Sequence, residues 1–254
     1  MNKLDKIIKN RVFSFSVNVY NWLTKPDVVK ISIIINLILF LPGLYLCVII
    51  AMVYGSQGYN IWNNFISDLG SINYTPLPNL FNVIILITSV FIIPAFLYNY
   101  KYLTKNTKIL VFNSQEKSFR RLFHIIIYIT ALSGLILLLI GTIGMFGIGI
   151  FSEDRTTQFN LHIYFSVLVF IGLIFGSMFV GIAILLNKVI CPRYLGFYMI
   201  FGPFITGYLY VNPPLILTKP FLEWMMLFSF QIWLIPAAIF TLIQIKKQSL
   251  KRFK

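Results

Sequence analysis

Six long apolar runs, separated by short polar segments, organise this chain: Lys30–Val53, Leu80–Tyr100, Leu122–Ile148, Leu161–Asn187, Leu195–Val211 and Leu222–Ile245. As helices rising 1.5 Å per residue, each is about long enough to cross a hydrocarbon core of roughly 30 Å. The pattern predicts an all-α fold, a polytopic transmembrane bundle of six helices over 30–245. A basic arm at 1–29 precedes it and a basic tail at 246–254 follows. The apolar residues of the arm, among them Ile7, Ile8, Val12, Phe13, Phe15 and Trp22, follow neither a 3.6 nor a 2.0 period, so no firm helix is predicted there. The first run is not followed by a small-residue cleavage site, which predicts a retained anchor rather than a cleaved signal peptide.

Charge orients the bundle. Of 21 Lys and Arg residues, 19 lie in the arm, the tail and the loops on their side. By the positive-inside bias both termini are therefore expected in the cytoplasm. With 58% hydrophobic residues and no long segment outside the runs, no second, soluble domain is expected in this sequence. The net charge of +14 comes from residues flanking the spans in short segments. Anionic lipid headgroups are the expected partners of such residues, and nucleic acid is not. The two cysteines, Cys47 within the first run and Cys191 in a cytoplasmic loop, make no disulfide framework. No cofactor is implied.

The spans are informative through what they lack. None has Asp, Glu, Lys or Arg near its centre, where pumps, proton relays and voltage sensors need charge. Pro42, Pro94, Pro203 and Pro236 are expected to shape kinks. Gly172, Gly176, Ser177 and Gly181 form a stripe of small residues on the fourth span, and Gly134, Gly141, Gly144, Gly147 and Gly149 recur in and just after the third. Small residues let helix backbones approach closely, so the third and fourth spans are the natural pair.

The candidate chemistry lies on the outer side. In the first outer loop, Trp62, Phe65, Ile66 and Leu69 share one face of a helical wheel, and Asn64, Ser67, Asp68 and Ser71 the other. This predicts a short interfacial helix whose polar face meets either water or a cavity among the spans. The second outer loop carries Glu153, Asp154 and Arg155, followed by Asn160, an expected N-cap of the fourth span, and by His162 in its first turn. Glu223 is expected to complement the N-terminus of the sixth span, and Trp62 and Trp224 to anchor at the interface.

The run Phe65-Ile66-Ser67-Asp68-Leu69-Gly70 precedes Phe81-Asn82, and Gly141-Thr142-Ile143-Gly144-Met145-Phe146-Gly147-Ile148-Gly149 precedes His162. In this order the elements resemble the damage-regulated autophagy modulator (DRAM) and Frag/Sfk-like group of six-span membrane proteins. They also resemble a prokaryotic six-span family of no assigned function. The resemblance runs from the first span to the fourth and implies a six-helix fold with a lipid-facing role. Here Leu69 stands where the eukaryotic pattern has Thr, and Ile163 follows His162 where that pattern often has Asp.

Two functions are compatible with these residues. In one, Ser67, Asp68 and His162 act on a lipid ester or amide as nucleophile, orienting group and general base. On a helix, however, Ser67 and Asp68 point about 100° apart, so a linear triad is disfavoured. In the other, the same three residues form a hydrogen-bonded clasp in a lipid-binding or membrane-organising bundle. Asp68, Glu153, Asp154 and His162 are in addition candidate ligands for a divalent ion.

Overall fold

The computed structural model describes residues 14–105, 107, 118–155, 157–187 and 191–252. The first 13 residues of the basic arm, including Lys3, Lys6, Lys9 and Arg11, and parts of two terminal-side loops lie outside the described residues. Six helices occupy the six apolar runs: α1 Pro26–Tyr54, α2 Pro78–Leu103, α3 Ser118–Ile150, α4 Leu161–Leu186, α5 Arg193–Val211 and α6 Lys219–Arg252. All six are long and apolar enough to cross a membrane. A further helical stretch at 14–23 replaces the irregular arm expected from its pattern. It is held against α2, where Lys101 Nζ donates to Thr24 Oγ1 at 2.9 Å and lies 5.8 Å from the centre of the Tyr20 ring.

Each helix touches the next in sequence, and α6 closes the ring by packing on α1 and α2. Val29 and Ile33 of α1 meet Tyr98 of α2 and Ile245 of α6, which places the start of α1 and the later part of α6 at one end of the bundle, called the terminal end below. The opposite end, carrying the loops 55–77, 151–160 and 212–218, is called distal below. Around the ring, Ile38, Val53, Ile136, Ile143, Ile205 and Ile232 turn outward, as expected where hydrocarbon is the solvent. The four interior prolines sit inside continuous helices.

The small-residue stripe of α4 packs on two neighbours. A Cβ on Gly172 would come within 2.6 Å of the Gly141 Cα in α3, and one on Gly176 within 2.9 Å of the Leu138 backbone N. One turn on, Gly181 meets Gly196 of α5, and Ser177 Oγ donates to the Met199 carbonyl at 3.1 Å. Polar side chains tie other seams. Ser32 Oγ donates to the Phe91 carbonyl at 2.6 Å, and Thr241 Oγ1 to Asn99 Oδ1 at 3.0 Å. Such bonds suit a medium that offers no competing water.

Candidate functional site at the distal end

The loop after α1 builds itself from asparagine and aspartate side chains. Asn60 Oδ1 accepts from the amides of Trp62 and Asn63, and Asn64 Oδ1 accepts from the Asn60 amide. Asp68 Oδ2 then accepts from the Phe65 amide at 2.9 Å and from Asn64 Nδ2 at 3.3 Å. Because these side chains take the amides that a helical ladder would use, the short helix expected here shrinks to one 3-10 turn, Ser67–Gly70. Its polar residues turn inward: Asn64, Asp68 and Ser71 are buried, whereas Trp62 remains half exposed, stacked on Phe221 at 4.0 Å. Gly70 sits against Asn82 of α2, where a Cβ would come within 2.7 Å of the Asn82 amide oxygen.

The other distal loops fasten onto this one. From the loop after α3, Asp154 accepts two hydrogen bonds of 2.7 Å, from the Ser71 hydroxyl and from the Ile72 amide. Glu153, though exposed as a residue, sets its carboxyl in hydrogen-bonding range of Asp68. Two carboxyl groups so close resist ionising together. Burial, the charge of Asp68 and the bond to it raise the Glu153 pKa to about 7, with a smaller push from Asp154. Burial also raises the pKa of Asp68, against the opposing effects of Glu153, Asn64, the Phe65 amide and His162.

From α6, Glu223 reaches back to accept from the Ile66 amide at 3.1 Å, and Trp224 Nε1 donates to the Asn64 carbonyl at 3.2 Å. Thr218 Oγ1 donates to the Trp62 carbonyl. Trp224 is thus a fully buried strut rather than the interfacial anchor expected from its place near a span end. Its indole finds a carbonyl because the loop folds over the top of α6. Glu223 serves the loop instead of its own helix.

His162 Nδ1 lies 2.8 Å from the Phe151 carbonyl. A carbonyl only accepts, so this nitrogen carries the proton. Asn160 is the N-cap residue of α4, as expected, but it adopts the left-handed conformation, φ 52°, and its side chain makes no capping bond. Its carbonyl instead accepts from the amides of Ile163 and Tyr164. Asparagine is among the few residues that tolerate this conformation.

The three candidate catalytic residues therefore have different surroundings. Asp68 and His162 are close enough for the ring to favour the Asp68 carboxylate. Ser67 lines a cavity of about 120 Å³ beneath the loop, together with Glu223, Thr142 and Ser166, and neither Asp68 nor His162 belongs to that wall. Among the described residues, no group of three or more His, Cys, Asp or Glu side chains is placed to hold a metal ion.

From sequence Glu223 was expected only to complement its own helix, yet it is the only carboxylate within any of the six apolar runs, and that isolation was the available signal of a wider role. The link from Asp154 to Ser71 and Ile72 has no local sign in the sequence, since 83 residues separate Ser71 from Asp154. Comparison with models of protein families, with curated proteins and with solved structures gives no match for the chain.

Proposed function

We propose that this integral membrane protein is a lipid-interacting, membrane-organising bundle whose distal loops are locked by a polar clasp. The observation that carries the reading is the commitment of the distal carboxylates to backbone amides of the loop after α1. Asp68, Asp154 and Glu223 bond the amides of Phe65, Ile72 and Ile66 in turn. Groups held in this way fix loops, and truncating one leaves a partner unsatisfied. The clasp differs in membership from a Ser67–Asp68–His162 set, since Asp154, Glu223 and Trp224 do much of the fastening. The distribution of basic residues supports a distal end facing away from the cytoplasm and a terminal end against anionic headgroups. The resemblance to the DRAM and Frag/Sfk-like group supports the lipid-facing role.

A second reading, a lipid-modifying hydrolase or acyl transferase, has one observation in its favour. With Nδ1 donating to Phe151, the neutral His162 ring has Nε2 as its basic nitrogen, the form a general base requires. Against it, Asp68 is engaged by Asn64 and Phe65, and Ser67 lines the cavity below. Purified protein in bilayers of mixed lipid extract, wild type beside His162→Ala, separates the two by mass spectrometry of the lipids. The clasp reading predicts no product from either protein and a lower melting temperature for His162→Ala. Fatty acid or lyso-lipid released by wild type alone would establish the enzyme instead.

A further inference from the structure

The distal cavity does not end at the loop. It shares Asn36, Phe40, Ile92, Phe96, Gln231 and Leu234 with a second cavity of about 130 Å³ that continues toward the terminal end. Together they run along the inside of the helix ring. No Asp, Glu, Lys or Arg lines the second cavity, whose wall is largely Leu, Ile, Phe and Ala. An engineered apolar cavity of about 150 Å³ admits benzene, so the joined space is of a size for one chain of about ten carbons.

Two donors in this lining have no partner. Gln231 Nε2 and Trp233 Nε1 are buried without a hydrogen bond, and the residues are only 8% and 2% exposed. Gln231 stands at the junction of the cavities, roughly 18 Å along α6 from its start by the helical rise, near the middle of the span. A donor left unpaired at that depth is costly unless an acceptor arrives. Both orphans are N–H groups, so the complementary ligand brings oxygen acceptors, and since neither wall has a Lys or Arg and the distal wall has the Glu223 carboxylate, it brings no negative charge.

We infer that the joined cavities are a binding site for an uncharged, single-chain lipid with a carbonyl acceptor, its chain lying along the ring interior and its carbonyl taken by Gln231. This deepens the lipid-interacting reading above and rests on it. Cavity walls from several helices, with few and well-placed polar groups, are the general form of small-molecule sites in bundles.

The test uses the full chain in mild detergent, native mass spectrometry for retention, and a melting curve for each protein. The probe is monodecanoin, which has one ten-carbon chain, one ester and no charge; 1-decene, without an acceptor, is the comparison. Wild type is expected to retain one monodecanoin per chain in preference to decene. Gln231→Leu should retain it about tenfold less, the worth of one hydrogen bond. Without ligand, this variant should melt no lower than wild type, because an orphaned polar group has been removed. Ala238→Phe, which fills the second cavity, should also lose retention, and it decides the matter if Gln231→Leu does not fold. Equal retention by wild type and the folded variants would overturn the internal site and leave lipid binding at the bundle surface standing. No retention by wild type would overturn both.

Discussion

The Ser71 hydroxyl donates to Asp154 Oδ1 at 2.7 Å across 83 residues of chain. The same carboxylate accepts from the Ile72 amide through its other oxygen, so one side chain in the loop after α3 fixes two successive residues of the loop after α1. Ser71 is fully buried, and its neighbour Gly70 lies against Asn82 at the start of α2. The loop is thereby held between two carboxylates: Asp154 on one side, and on the other Glu223, which takes the Ile66 amide.

Replacing Glu223 tests the α6 side. Glu223→Leu removes the acceptor for a partly buried amide and is expected to destabilise by about 1–3 kcal/mol. Glu223→Gln keeps a carbonyl oxygen at that place and should lose less than half as much. Thermal unfolding of the purified variants in one detergent reads the difference, and equal losses would show that Glu223 acts otherwise than as an acceptor.

Acidity should tighten the clasp. The folded-state pKa of Glu153, about 7, lies above the ordinary carboxylate value, so the folded protein holds this proton more firmly than the unfolded chain. Its contribution to stability therefore falls as pH rises between the ordinary carboxyl range and about 7, and levels off above. Asp68, also raised, acts in the same direction. The groups around Glu153 are Asp68, Asp154, Glu223 and the Tyr74 phenol, with Arg155 next in sequence and His162 acting on Asp68. Melting temperatures from about pH 5 to pH 8 should decline in wild type and decline less steeply in Glu153→Gln, where Asp68 alone of the pair remains. A wild-type profile that rises over the same range would contradict this assignment.

Backbone contact between α3 and α4 makes a third prediction. Gly172→Ala places a methyl group against the Gly141 backbone, which cannot swing aside as a side-chain tip can. The expected loss is about 1–3 kcal/mol. The neighbouring lipid-side change Ile171→Ala should stay near neutral, because Ile171 is exposed on the ring. Unfolding in increasing denaturing detergent compares the two, and similar losses would mean that the glycine contact is not what holds the pair.

The helices were legible because a span must satisfy its backbone internally and present apolar side chains to lipid, and both demands are written locally. Their observed ends fall within a few residues of the apolar runs, except that α6 continues through the basic tail to Arg252. The Gly172 and Gly176 contact with α3 was legible from four-residue spacing. The loop was only half legible. Its amphipathic pattern showed that Asn64, Asp68 and Ser71 belong together, but not that they face inward, since that depends on Trp224, Glu223 and Asp154 arriving from distant parts of the chain. Gln231 was invisible for a similar reason: one amide in an apolar run reads as noise until the ring shows it without a partner at a cavity junction.

A double-mutant cycle on Ser71→Ala and Asp154→Ala, followed by thermal unfolding, tests the clasp most directly. The Ile72 amide loses its acceptor in Asp154→Ala and in the double variant alike, so the cycle isolates the side-chain bond. A coupling of about 1 kcal/mol is predicted. Strictly additive losses would show that these two residues do not hold the distal loops together.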